Sequence, residues 1–258
     1  MSHNQIRIHL AYLLPFLLLI ACSSNKFKAN MSSDERFQLA KELLDKGDFL
    51  PAKTQFQILV LNYPGTQIAD KSQFFLAESH FGLKEYILAA AEYEKMIRNY
   101  RQSELADDAQ YKVGMCYYEL SPGFALDQQY TMQAIVEFQR FLEEYPGSEL
   151  RPEVERRYAE SRNKMAKKEF RNAILYRKMG YCYSAVIYFN EFLKNYYDTE
   201  YAEEAHYRKG ECLIKLKNWE EAKDVLQEFL EKYPSSRFAK TALEHVDLAK
   251  KEHATNGK

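Results

Sequence analysis

The chain has 258 residues, 46% of them apolar, and a formal net charge of −1. That length can bury a sizeable core, and the charge balance excludes the broad basic surface that nucleic-acid binding requires. Nine glycines, seven prolines and no alternating apolar/polar run leave little material for a sheet, so the expected fold class is all-α.

Residues 1–9 are polar with one arginine, Arg7, and Leu10 to Ala21 form an almost unbroken apolar run of twelve. Twelve residues are too few to span a bilayer, which takes about 20, but they suit the apolar core of an export signal. The run ends Leu19-Ile20-Ala21-Cys22, followed by Ser23-Ser24-Asn25. This resembles the lipobox of bacterial lipoproteins, in which the cysteine is acylated and becomes the new N-terminus. The resemblance implies a signal peptide over 1–21, a lipid-attachment site at Cys22 and a lipidated tether over 22–32. Two or more acyl chains anchor a protein stably without spanning the membrane. Ser32 and Glu35 have the spacing of a capping box, so the first helix is expected to start there.

From that point the chain repeats one helical phrase: alanine, three residues, a large apolar residue, six residues, tyrosine. Its copies are Ala52–Phe56–Tyr63, Ala89–Tyr93–Tyr100, Ala134–Phe138–Tyr145, Ala185–Phe189–Tyr196 and Ala222–Leu226–Tyr233. With the apolar pairs between their last two members, these positions fall on one face of a helix. Three copies leave through Tyr-Pro, at Pro64, Pro146 and Pro234, which stops the helix. An earlier helical run precedes each phrase and carries its own small residue: Ala40, Ala77, Gly114, Ala173 or Gly210. Small residues on both helices let an antiparallel pair approach closely. The pattern resembles the tetratricopeptide repeat, although Arg36, Gln73, Gln110, Glu169 and His206 occupy the usual first-helix Trp or Leu position.

The phrases are 37, 45, 51 and 37 residues apart. Leu120 to Gln128 accounts for the longer third repeat, and residues 149–168 are expected to form a long charged helix separating three repeats from two. The organisation is therefore three N-terminal repeats over 33–148, then a linking helix, two repeats and a capping helix over 149–252, and a frayed tail over 253–258. The cap, Arg237 to Lys251, has an apolar stripe of Phe238, Ala242, Leu243 and Val246. The whole is expected to be a superhelix of about five helix pairs.

No HExxH, GxSxG, phosphate-cradling glycine loop or Cys/His metal spacing occurs, so no enzyme and no cofactor is implied. His80 reads as a structural histidine at a packing position. Cys116, Cys182 and Cys212 form no CxxC, and Cys116 and Cys212 read as small packing residues. Residues 151–178 hold ten basic side chains against four glutamates. They form either a solvated helix face or a surface for an acidic partner or anionic headgroups. An aromatic stands three residues before each first-helix small residue. Phe37, Phe74 and Tyr111, with Phe81 and Tyr118 four residues after Ala77 and Gly114, form a candidate trough for a peptide. Packing between neighbouring repeats is the alternative reading.

Lipobox, tether, five diverged repeats split three and two, and a cap together resemble the BamD family, the lipoproteins of the outer-membrane β-barrel assembly machine. The likeness is sharpest at Leu126-Asp127-Gln128 with Ala134-Ile135 and Phe138, and from Met165-Ala166-Lys167 to Asp198-Thr199. Arg101 and Tyr197 depart from the family's usual proline. The resemblance implies an outer-membrane, periplasm-facing scaffold. Its N-terminal repeats would meet the C-terminal segments of unfolded outer-membrane proteins, and its C-terminal repeats a BamA-like barrel-assembly subunit. A secretin pilotin or a cell-division scaffold is the alternative.

Overall fold

The structure, a computed structural model, describes residues 31–256. Cys22, the signal and most of the tether lie outside them. Among the described residues there are eleven helices and no strand. They run in pairs: α1 (Ser33–Asp45) with α2 (Phe49–Asn62), α3 (Ala69–Gly82) with α4 (Tyr86–Asn99), and α5 (Ala106–Leu120) with α6 (Gln129–Glu144). Then follow α7 (Arg151–Lys178) with α8 (Cys182–Tyr196), α9 (Ala202–Lys215) with α10 (Trp219–Lys232), and α11 (Ala239–Asn256). Each helix packs on its chain neighbours, and first helices also meet across repeats, α1 on α3 and α9 on α11. This is a tetratricopeptide superhelix, with first helices in one layer and second helices in the other.

The repeated phrase is the core. All five alanines and all five large residues four positions on are fully buried. At Gly114 and Gly210 the paired helices approach too closely to admit a side chain. A Cβ at Gly114 would sit 2.5 Å from the Phe138 ring, and one at Gly210 would sit 2.4 Å from Leu226. The tyrosine that ends each phrase caps or closes its helix, and four of the five (Tyr63, Tyr100, Tyr145, Tyr233) donate their N–H to the carbonyl four residues back. Ser32 makes both bonds of the capping box with Glu35.

The unusual first-helix polar position has a physical reason. Gln73 donates to the Glu92 carbonyl at 3.2 Å and to its carboxylate at 2.7 Å, and Gln110 treats Glu137 the same way at 3.2 and 3.0 Å. Arg36 donates to Gln55 at 2.5 Å. Each bond runs to the residue three after the phrase alanine, so a buried polar bond replaces the usual apolar wedge between the paired helices.

His206 holds this place in the fifth repeat. It is buried against Phe229, with Glu228 at 3.8 Å. Burial lowers its pKa; Glu228 opposes that shift, and Lys209 and Lys232 reinforce it. A histidine with a lowered folded pKa binds a proton more readily when unfolded. It therefore costs stability as pH falls below the ordinary histidine value of about 6.5. His206→Gln, the residue of repeats two and three, is expected to flatten the fall in melting temperature between pH 7 and 5. An unchanged profile would mean that His206 titrates as it does in the unfolded chain.

A second recurring device escapes the phrase. Three residues after each tyrosine stands Thr66, Ser103, Ser148, Thr199 or Ser236, whose N–H donates to the tyrosine carbonyl. Ser103, Ser148 and Ser236 also donate to Asp70, Asp107 and Glu203 at 2.6, 2.7 and 2.6 Å, joining each turn to the start of its own repeat. Two of these Ser/Thr turns stand where proline is absent, after Arg101 and Tyr197, and they form all the same.

The expected linking helix is not a separate element. α7 runs unbroken for 28 residues, about 42 Å at 1.5 Å per residue. Its first half covers repeat three through Val154, and its second half is the first helix of repeat four. The fourteen residues beyond the 37-residue unit are close to four helical turns, so the packing face returns to register. The cap also differs from expectation. Its buried stripe is Ala242, Val246 and Ala249, while Leu243 is exposed, because among the described residues no helix packs on that side of α11. Asp247 stands where the other first helices carry the close-packing Ala or Gly, which suits the end of a solenoid. α11 continues to Asn256, since no glycine or proline intervenes before Gly257.

Candidate functional site

The five candidate trough residues do not share one environment. Phe37 is 8% exposed, edge-on to Phe56 at 5.8 Å and to Phe75 at 6.0 Å. Phe74 is 7% exposed and edge-on to Phe75 and Tyr93, both at 5.5 Å. These two rings are core, because the neighbouring second helix covers the position they occupy. Phe170 and Tyr207, at the same repeat position, are buried too.

Phe81, Tyr111 and Tyr118 are half-buried. Phe81 packs edge-on to Tyr86 at 5.2 Å and carries the Lys112 ammonium 4.9 Å above its ring. Tyr118 donates to Glu160 at 2.9 Å and lies 4.9 Å beneath the Arg157 guanidinium. Tyr111 donates to Glu153 at 3.4 Å. Phe75, one residue beyond the candidate position, is also half-buried, with Lys41 4.5 Å over its ring. The accessible face of the N-terminal first helices is thus a row of rings, of which Phe75, Phe81 and Tyr118 are each topped by a cation, not a bare trough. Such pairs offer a peptide both apolar contact and a charge for a carboxylate.

The basic run of α7 is largely consumed inside the protein. Arg156 and Arg157 bind Glu153 and Glu160. Arg156, then Arg157, hold the Glu153 carboxyl down to about 2. Arg162 binds Asp198 at 2.7 Å and Arg177 binds Glu211 at 3.0 Å. Lys164 donates to Ser121 at 2.8 Å, Lys168 donates to the Leu126 carbonyl at 2.9 Å, and Lys167 lies 4.6 Å over Phe124. The third-repeat insertion is therefore strapped to α7 by its lysines. Gln128 closes the strap by donating to the carbonyls of Gly123 and Leu126 at 2.9 and 3.1 Å.

His80 accepts the structural reading. Its Nδ1 lies 2.6 Å from Glu85, which also binds Lys53 at 2.9 Å. Lys53, then His80, keep that carboxyl below its usual range.

The feature that sequence reasoning missed is a set of exposed apolar side chains on α6, α7 and α8. Met132 and Val136 of α6, Leu175 of α7, Met179 at its C-cap, Tyr181 at the N-cap of α8, and Tyr183 and Ile187 of α8 are all more than half exposed. Two adjoining hollows of about 330 and 390 Å³ share Glu169 as a wall; Ile187 and Tyr188 line one, Met132 and Met165 the other. Tyr188 stacks on Tyr176 at 4.6 Å, fixing the floor between α7 and α8. Contiguous exposed apolar surface rich in Tyr and Met is characteristic of protein–protein contact. A signal existed in the phrase itself. Ile187 and Tyr188 stand beside buried Phe189, where the fifth repeat has Asp224 and Val225.

Among the described residues no helix is long and apolar enough to cross a membrane. The sequence model of a tetratricopeptide repeat matches residues 204–236, the fifth helix pair. No protein with a curated description matches the sequence. Similar solved structures include the TPR2AB-domain:pHSP90 complex of yeast Sti1. It is 16% identical over 86% of this chain and 91% of that one, with a TM-score of 0.45. A tetratricopeptide protein from Parabacteroides merdae is 13% identical over 86% and 75%, TM-score 0.37. TTC0263 from Thermus thermophilus is 15% identical over 83% and 99%, TM-score 0.35. The sequence model of YfiO, described as outer membrane lipoprotein, matches residues 29–218, well over half the chain. The chain belongs to the YfiO, or BamD, family of outer membrane lipoproteins.

Proposed function

We propose that this protein is a non-catalytic scaffold of the outer-membrane β-barrel assembly machine, held at the periplasmic face of the outer membrane by acyl chains on Cys22. The observation that carries this reading is the exposed apolar face of α6, α7 and α8. It docks the periplasmic domains of a BamA-like barrel-assembly subunit. The N-terminal repeats receive the C-terminal segments of unfolded outer-membrane proteins. There the ring-and-cation pairs at Phe81 and Tyr118, with Tyr111 beside them, meet apolar side chains and the terminal carboxylate. Phe37 and Phe74 support that face from behind.

The test is an affinity pull-down of the full-length chain from solubilised envelope. The wild type is expected to recover a large β-barrel protein with periplasmic domains. Tyr183→Ser with Ile187→Ser removes two exposed anchors without touching the core. A pair of anchors at about 1–2 kcal/mol each gives a loss of at least roughly tenfold in recovery. Leu61→Ser, on an equally exposed but remote leucine, is expected to change nothing. Undiminished recovery by the double variant, or recovery of a secretin ring by the wild type, would sink the proposal.

A further inference from the structure

Repeat four breaks a polar pattern that its neighbours keep. In repeats two and three a first-helix glutamine, a second-helix glutamate and a cation one turn further on form a closed set. Gln73 bonds Glu92, which binds Lys95 at 2.6 Å, and Gln110 bonds Glu137, which binds Arg140 at 2.5 Å. The two second-helix members stand three and six residues after the phrase alanine. The same three positions hold Arg36, Gln55 and Ile58 in repeat one, and His206, Val225 and Glu228 in repeat five. In repeat four they hold Glu169, Tyr188 and Glu191, so this repeat alone has no basic residue there.

The two carboxylates flank the hollow of about 330 Å³ between α7 and α8, whose other walls include Ile187, Tyr188, Phe192 and Tyr196. Glu169 is half-buried and Glu191 is exposed. Each accepts a hydrogen bond from an asparagine of its own helix, Asn172 at 3.5 Å and Asn195 at 2.8 Å. Among the described residues neither carboxylate joins an ion pair, although Lys194 stands one turn beyond Glu191. Other basic neighbours are engaged elsewhere: Arg162 binds Asp198 at 2.7 Å, and Lys168 donates to the Leu126 carbonyl at 2.9 Å. A partly buried carboxylate without a cation carries a desolvation cost that no internal contact offsets.

We propose that this hollow takes an arginine side chain of the protein docked on the face, its guanidinium held between Glu169 and Glu191 against the Tyr188 ring. The inference rests on the docking reading above and adds the charge that the partner presents. The cation that repeats two and three carry internally comes, in repeat four, from outside. A guanidinium suits both kinds of wall, since its planar fork donates to carboxylates and its face stacks on aromatic rings. Lysine, a compact and strongly hydrated charge, matches the rings less well. An apolar side chain would fill the space but leave Glu169 desolvated and unpaired.

The experiment uses the full-length chain and the pull-down from solubilised envelope. Glu191→Arg gives repeat four the cation of repeat three and is expected to cut recovery of the barrel protein at least about tenfold. Glu169→Gln, which introduces the residue of repeats two and three, is expected to cut it several-fold. Glu104→Arg makes the same change of charge at a remote exposed residue and is expected to change nothing. Thermal midpoints of the first two variants should equal or exceed the wild type, because each relieves an unpaired charge. Benzoylphenylalanine in place of Tyr183, an exposed ring one turn before Ile187, provides a second measurement on an otherwise unaltered chain. Its crosslink is expected to fall on a segment of the barrel protein that contains an arginine. Replacing that arginine by alanine should make recovery indifferent to Glu191→Arg. Equal recovery by the wild type and Glu191→Arg, or a crosslinked segment without arginine, overturns the arginine site and leaves the docking reading standing. If the wild type recovers no barrel protein, but a different protein crosslinks through an arginine-containing segment and is lost on Glu191→Arg, the site stands and the docking reading alone falls.

Discussion

Phe74→Ala is expected to cost about 3–5 kcal/mol of stability, the range for truncating a buried aromatic. The ring is 7% exposed, edge-on to Phe75 and Tyr93, and packed with Ala109 and Val113 of the next repeat. Its removal leaves a cavity where repeats two and three join, and the rigid neighbours Tyr93 and Met96 are fully buried and cannot collapse into it. Far-UV circular dichroism during heating measures the loss directly. Phe81→Ala and Tyr118→Ala, on half-buried rings, should melt closer to the wild type. Their effect should fall on a titrated peptide ending in an aromatic residue, weakened by about 1.4 kcal/mol, or tenfold. A Phe74→Ala protein that melts like the wild type would return that ring to the accessible face.

Gly114→Ala sets two effects against each other. Inside a helix, alanine is better than glycine by about 1 kcal/mol, so propensity alone makes the variant more stable. The new Cβ, however, would sit 2.5 Å from one atom of the Phe138 ring and 2.6 Å from a second. That ring is fully buried and held between Tyr111 and Tyr118, at 6.3 and 6.4 Å, so it has nowhere to move. Overpacking of this kind costs about 1–3 kcal/mol, and the net expectation is destabilisation. Phe138→Leu should open space for the added methyl group. In a double-mutant cycle, the pair should then be more stable than the sum of the single changes by about 0.5–3 kcal/mol. Strict additivity would mean that α5 and α6 leave room for a side chain at Gly114.

The two predictions separate what one dimension of information can and cannot carry. The five-copy phrase, its small residues and its exits were legible because helix periodicity and close helix pairing are short-range requirements. An alanine at 52, 89, 134, 185 or 222 is needed wherever two helices touch, whatever lies beyond them, and all five are fully buried. The capping box at Ser32 and Glu35 was legible for the same reason. The inserted residues of repeat three could be counted too, but not where they go. Their strap is fixed by Lys164 and Lys168, some forty residues later in the chain.

Covering is decided only in three dimensions. Phe74 and Phe81 share a helix and both carry a phenyl ring; the first is closed off by Tyr93 of the paired helix, the second is left under a lysine. The basic run of α7 read equally well as a solvated face or as a surface for a partner. Its arginines and lysines instead met Glu153, Glu160, Asp198, Glu211 and the carbonyls of the strap. The separate linking helix failed as an expectation because no local signal tells whether fourteen extra residues break a helix or wind on through nearly four more turns. The apolar face of α6 to α8 was hidden for the converse reason. In sequence, Ile187 and Tyr188 look like more of the core that Phe189 enters, and only the placement of α7 leaves them facing outward. Helix pairing follows from spacing along the chain, whereas exposure depends on which distant element arrives to exclude water.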